Sequence, residues 1–155
     1  MTTSARLRRL LAAVLVSAAA LASASAPPTA DGALAPLDVR ARVRLLPGGG
    51  ATLLQRGTFA GAPIGRGTLS LRTTLGAGRG ATFRFQMVTA RGSVRGTGDV
   101  AVSFRGAMIT YRGTASITQG TGALRGVRAR GLLVAGSGPA SGETFAVRLT
   151  GRARS

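Results

Sequence analysis

The side chains available for chemistry in this chain are few. Cysteine, histidine and tryptophan are absent, and so are lysine and asparagine. Thiol nucleophiles, imidazole bases and ordinary zinc sites are therefore excluded, and a Ser-His-Asp triad is impossible. The acids are Asp31, Asp38, Asp99 and Glu143, with no Asp-rich loop for a calcium ion and no spacing that makes a carboxylate pair converge. These absences lean against an enzyme, and no metal or cofactor is expected.

Two groups of residues remain. Phe83, Phe85, Phe104, Tyr111 and Phe145 fall on the apolar faces of alternating segments. They are core filling in the plain reading. In the sharper one they line a cavity for a small apolar ligand, with the Tyr111 hydroxyl as the polar handle. The second group is basic: all 21 cationic residues are arginine, and the formal net charge is +17. Arg40, Arg42, Arg44, Arg66, Arg72, Arg95 and Arg112 fall on the polar faces, as a solvated surface or as a belt for an anionic polymer or membrane. Arg56-Gly57, Arg66-Gly67, Arg95-Gly96 and Arg112-Gly113 each precede threonine. They lie inside alternating segments, unlike the Arg-Gly repeats of disordered RNA-binding tails, so no specific nucleic-acid target is implied.

These groups need elements to hold them. From Leu37 to Leu46, apolar Leu37, Val39, Ala41, Val43 and Leu45 alternate with Asp38, Arg40, Arg42 and Arg44. Period two with one charged face predicts a half-buried strand. Further strands are predicted over 52–59, 64–75, 82–89, 94–104, 109–117, 127–135 and 144–150, separated by Gly- and Pro-rich breaks. No segment after the first 24 residues carries a sustained helical stripe. The fold class is all-β, with a closed antiparallel eight-stranded barrel preferred and an open β-sandwich as the alternative. Closure is favoured by inward-facing Gly65, Gly67, Gly96, Gly98 and Gly113, because strongly coiled strands need glycine where they bend. An outer-membrane barrel is disfavoured, since strand after strand carries arginine on its outer face.

The chain opens with Arg6, Arg8 and Arg9, a short apolar run over 10–22, and two small-residue cut sites ending at Ala24 and Ala26. This pattern predicts a signal peptide over 1–24 and an exported protein, extracellular or in the cell envelope. Residues 25–36 read as a flexible lead-in, 37–151 as the barrel and 152–155 as a basic tail. Losing three arginines with the leader lowers the charge from +17 to about +14. Export without cysteine leaves stability to the apolar core, since no disulfide can form.

One stretch organises the rest: Ile117-Thr118-Gln119-Gly120-Thr121-Gly122-Ala123-Leu124-Arg125-Gly126-Val127-Arg128-Ala129-Arg130-Gly131. A strand is expected to end at Ile117. Gly120, Thr121, Gly122 and Gly126 build a structural turn, and Leu124 tucks beneath it. Thr121 between glycines lacks the lysine and following helix of a phosphate loop. The stretch resembles the I-x-G-G-T-G-x-F/Y-x-G-A-x-G signature of the allene oxide cyclase and dirigent barrel superfamily. Gln119 stands in place of the first glycine of its pair, and Leu124 in place of its aromatic. The resemblance implies an eight-stranded barrel with an apolar lumen. It brings in members that are cyclases, dirigent guides of radical coupling, or secreted bacterial proteins. The reading favoured here is a non-catalytic binder of a small apolar ligand in the lumen. The alternatives are docking on anionic envelope polymers or membranes through the arginine surface, and a cyclase or coupling guide.

Overall fold

A computed structural model describes residues 32–47 and 50–155. The predicted signal peptide and most of the lead-in lie outside the described residues. Eight strands follow one another: β1 Leu34–Leu45, β2 Thr52–Ala62, β3 Gly65–Leu75, β4 Gly80–Thr89, β5 Gly92–Arg105, β6 Met108–Gly120, β7 Arg128–Pro139 and β8 Phe145–Arg154. Each pairs antiparallel with the next, and β8 pairs with β1, from Leu34 opposite Arg154 to Val43 opposite Phe145. The sheet is therefore a closed barrel, and the sandwich alternative is removed. Closure leaves no unpaired strand edge.

The alternation in the sequence becomes inside and outside. Val39, Ala41 and Val43 are buried while Arg40, Arg42 and Arg44 are exposed. The same division runs through Phe83, Phe85 and Met87 of β4 against Thr82 and Arg84. No charged or polar residue is buried among the described residues. Hydrophobic burial therefore acts without the penalty of an unpaired polar group in the core.

Several boundaries differ from expectation. Leu34, Ala35 and Pro36 belong to β1 rather than to a lead-in, because they pair with Arg154, Ala153 and Arg152 of β8. That same pairing draws the expected basic tail into the sheet. β2 runs on to Ala62 opposite Asp38, so Gly61 and Ala62 are strand, and the turn is Pro63-Ile64. β6 continues past Ile117 to Gly120, whose partner is Val94. β7 takes in Gly136–Pro139, expected as loop, because Tyr111, Thr110, Ile109 and Met108 of β6 supply partners for all four. In each case the missing information is a partner strand distant in the sequence.

The two ends of the barrel differ. At one end lie the turns β2–β3, β4–β5 and β6–β7. Here Ile64, Met87, Val94, Leu124 and Leu132 are almost wholly excluded from solvent and close the interior. The β6–β7 connection contains a single turn of 3-10 helix, Gly122–Leu124. It is stapled to the β4–β5 turn: Thr121 N–H donates to Ser93 O at 2.8 Å, Ala123 N–H to Arg91 O at 2.8 Å, and Ser93 N–H to Thr121 Oγ1 at 3.0 Å. Gly122 has φ +58, a conformation cheap only for glycine. Gly120 is buried against the Leu124 backbone, whereas Gly126 is exposed beside the Ser155 backbone. The other end, with turns β1–β2, β3–β4, β5–β6 and β7–β8, is open.

Candidate functional site

At the open end the interior holds a cavity of about 220 Å³. Its wall is built from alternate residues near the ends of the strands: Leu53 of β2, Leu71 of β3, Phe83 of β4, Val102 of β5, Tyr111 of β6 and Phe145 of β8. The polar groups in the lining are Gln55, Thr73 and the Tyr111 phenol. Thr73 Oγ1 donates to Gln55 Oε1 at 3.4 Å, so these two form one polar spot on an apolar wall.

The aromatic residues expected to converge do so unevenly. Phe83 and Phe145 are buried and line the cavity; Tyr111 is half-buried and lines it too. The Tyr111 and Phe145 rings lie 6.2 Å apart, tilted by 49°. Phe85 is buried one step deeper, its ring 6.1 Å from Phe83, and does not border the cavity. Phe104 borders the cavity as well, at its mouth rather than in its wall. It keeps the inward register but is 64% exposed, because β5 runs on past Ala101, its last partner in β4, and only β6 accompanies it to the rim. Phe59, buried opposite Gly67, is an inward aromatic that the less regular 52–59 segment concealed. Leu53, Leu71, Val102 and Ile109 were legible only as strand residues.

Each inward ring except Phe104 on the rim lies over a glycine on the neighbouring strand. Phe83 faces Gly98 and Phe85 faces Gly96, and a Cβ at either glycine would come within 2.5 Å of the ring. Tyr111 covers Gly136 in the same way, and Phe145 covers Gly138. The glycines thus make room for the rings, and the rings shield backbone that glycine leaves bare. Gly67, Gly96, Gly98 and Gly113 also abut backbone carbonyls of the adjoining strand. Gly65 is different: it leaves the β2–β3 turn with φ +105 and open space where a side chain would be.

The Tyr111 hydroxyl donates to Ala146 O at 3.3 Å. Burial pushes its phenol well above the usual value of 10.0. Desolvation disfavours the phenolate. Since Tyr111 is the chain's single tyrosine, the effect can be read without interference. Tyrosinate absorbance should be missing at pH 10 and appear only when the barrel unfolds. The unfolded chain then releases a proton that the folded one keeps, so stability falls as pH rises above 10. Half-ionisation at pH 10 in the folded protein would show that the ring is open to water.

The described acids stay outside the lumen. Asp38 lies on the outer wall in a two-pronged pair with Arg148, Nε to Oδ1 at 2.9 Å and Nη2 to Oδ2 at 2.8 Å. The hydrogen bonds from Arg148 hold the Asp38 carboxyl below its ordinary value. Asp99 and Glu143 are exposed.

All seven arginines singled out in the sequence are exposed, and they do not form one belt. Arg40, Arg42 and Arg112 flank a groove on the outer wall together with Arg105 and Arg148. Its floor is small: Ala60, Ala101, Ala135 and Ala146 with Thr58 and Ser137. Arg72 and Arg95 flank a second groove with Arg56 and Arg84. Arg44 stands beside the open end, opposite Arg56, and Arg66 near the closed end.

Comparison with protein-family models, with curated proteins and with solved structures finds no match to this chain.

Proposed function

We propose that the protein is an exported, non-catalytic carrier that holds a small apolar molecule in the open end of its barrel. One observation carries this reading: a cavity of about 220 Å³ whose wall is apolar except for Gln55, Thr73 and Tyr111. An apolar cavity of about 150 Å³ accepts benzene, so this one suits a body of about ten heavy atoms. The Gln55–Thr73 spot favours a ligand with one hydrogen-bonding group, such as an alcohol or ketone. Export rests on the leader pattern in the first 24 residues. Kinship with the allene oxide cyclase and dirigent barrels belongs to the same proposal and stands on residues 117–131. Fold alone does not select among the activities of that superfamily. The lining itself favours holding over turnover, since it offers no carboxylate, imidazole or thiol.

The test is direct titration of the purified protein with 1-naphthol and with a cyclic monoterpene alcohol. Calorimetry should give dissociation constants of about 1–100 μM, within the range small ligands reach. Nuclear Overhauser contacts should run from the bound compound to Tyr111, Val102 and Ile109. Val102→Trp fills the cavity and should weaken binding at least about tenfold while the far-ultraviolet spectrum is retained. Gly136→Ala should weaken it too, because the new methyl pushes the Tyr111 ring off its seat. Unchanged affinity in a folded Val102→Trp protein would place the ligand elsewhere and refute the reading.

A further inference from the structure

We infer that the open end of the barrel is a docking surface for an anionic lipid bilayer. Among the described residues, five of the eight exposed large apolar side chains gather at one end. Leu45, Leu54, Leu75, Phe104 and Met108 all lie at or next to the open end, on β1, β2, β3, β5 and β6. They stand about the cavity mouth on five of the eight strands, so much of the rim is apolar. Exposed apolar side chains gathered at one end of a molecule point to an interaction site.

The turns at this end carry little charge. Gly76-Ala77-Gly78 and Gly106-Ala107 are small and neutral, as are Ala140-Ser141-Gly142. The Gly106-Ala107 tip can enter the headgroup layer without desolvating an ion, while Arg79 and Glu143 complete the β3–β4 and β7–β8 turns. Beside and behind them stand cations. Arg44 precedes Leu45, Arg105 follows Phe104 and pairs with Met108, Arg72 pairs with Leu54, and Arg79 sits in the β3–β4 turn. Glu143 is the acid at this end among the described residues. Apolar tips backed by arginine match a surface with a hydrophobic interior and anionic headgroups. A free polyanion would use the arginines but gain nothing from the apolar rim. The closed end lacks this pattern: Arg66, Arg91, Arg125, Arg128, Arg130 and Arg152 crowd it, and Leu34 and Val88 are its isolated exposed apolar groups.

Docking does not depend on a lumen ligand, so this proposal and the carrier proposal can fail separately. The chain contains no tryptophan, which allows single reporters. Phe104→Trp places one on the rim, and Leu133→Trp places one on the mid-wall, at a residue 63% exposed. With vesicles of phosphatidylglycerol and phosphatidylcholine in equal parts, the reporter at 104 should shift to the blue and be quenched by brominated lipid. The reporter at 133 should do neither. In flotation, Phe104→Ser combined with Met108→Ser should weaken binding about tenfold, Leu133→Ser should not, and pure phosphatidylcholine vesicles should bind far less than the mixture. Three results would overturn the inference. The first is no flotation with anionic vesicles at low salt. The second is equal quenching at both positions, or flotation unaffected by the rim substitutions and lost with Arg40→Gln and Arg112→Gln, which would mean adhesion of the wall grooves to polyanions. The third is a rim-dependent dimer in sedimentation with no lipid binding, which would make a second copy the occupant.

Discussion

Gly113→Ala is expected to destabilise the barrel by at least about 3 kcal/mol, beyond the usual range for a single added methyl. Gly113 sits in β6 opposite Val100 of β5. A Cβ there would lie 2.7 Å from the Val100 Cα and closer still to the Asp99 carbonyl oxygen. Both obstacles are backbone, so no rotamer change relieves the contact. Relief requires β5 and β6 to separate, which breaks ladder hydrogen bonds in the middle of a closed sheet. Gly80→Ala is the matched control. A Cβ at Gly80 meets nothing within 4 Å, and its φ lies outside the left-handed region. That substitution should be neutral, or stabilising by about 0.4–1 kcal/mol through a less flexible unfolded chain. Urea unfolding of the two variants decides the matter. Equal midpoints would mean that the strands do not approach as closely as the structure requires.

Leu124→Ala is expected to cost about 2–5 kcal/mol. Leu124 is 2% exposed although it lies in a connection rather than a strand. Its backbone is held on both sides: its N–H donates to Thr121 O at 3.0 Å, and its carbonyl accepts from Val127 N–H at 3.0 Å. The 3-10 turn therefore cannot follow the shortened side chain inward, and the lost volume remains as a void beneath the closed end. Leu124→Met keeps most of the volume and should cost less than about 1.5 kcal/mol. Denaturant midpoints measure both. If alanine is tolerated as well as methionine, the turn is free to collapse, and Leu124 is not the plug of this end.

How far the molecule was legible from its residues varies with the distance over which each feature is determined. The β1 alternation is complete in itself, and the structure follows it from Leu37 to Arg44; Leu45, expected inward, is exposed because it ends the strand at the open mouth. The Gly106-Ala107 hairpin is equally local. Phe104 shows where local pattern stops. Its parity is inward like that of Phe83, yet one is on the rim and the other 7% exposed in the wall. Parity says which side of the sheet a residue takes; height along the barrel axis depends on how each strand is staggered against its partners. The cavity residues Leu53, Val102 and Ile109 were hidden for the same reason. So were the ring-over-glycine pairs, since no spacing within one strand shows that Phe83 will face Gly98.

From residues alone the chain determined that it is all-β, which side of the sheet the residues of its regularly alternating strands take, and that the lining offers no cysteine or histidine chemistry. Those properties follow from two-residue periodicity and from composition, and both act within a few residues of chain. Closure by β8 against β1, the plugged and open ends, the cavity and the apolar rim were decided only by the tertiary structure. They depend on register between strands as far apart in sequence as β1 and β8, and a register of that kind is set by the joint packing of all eight strands.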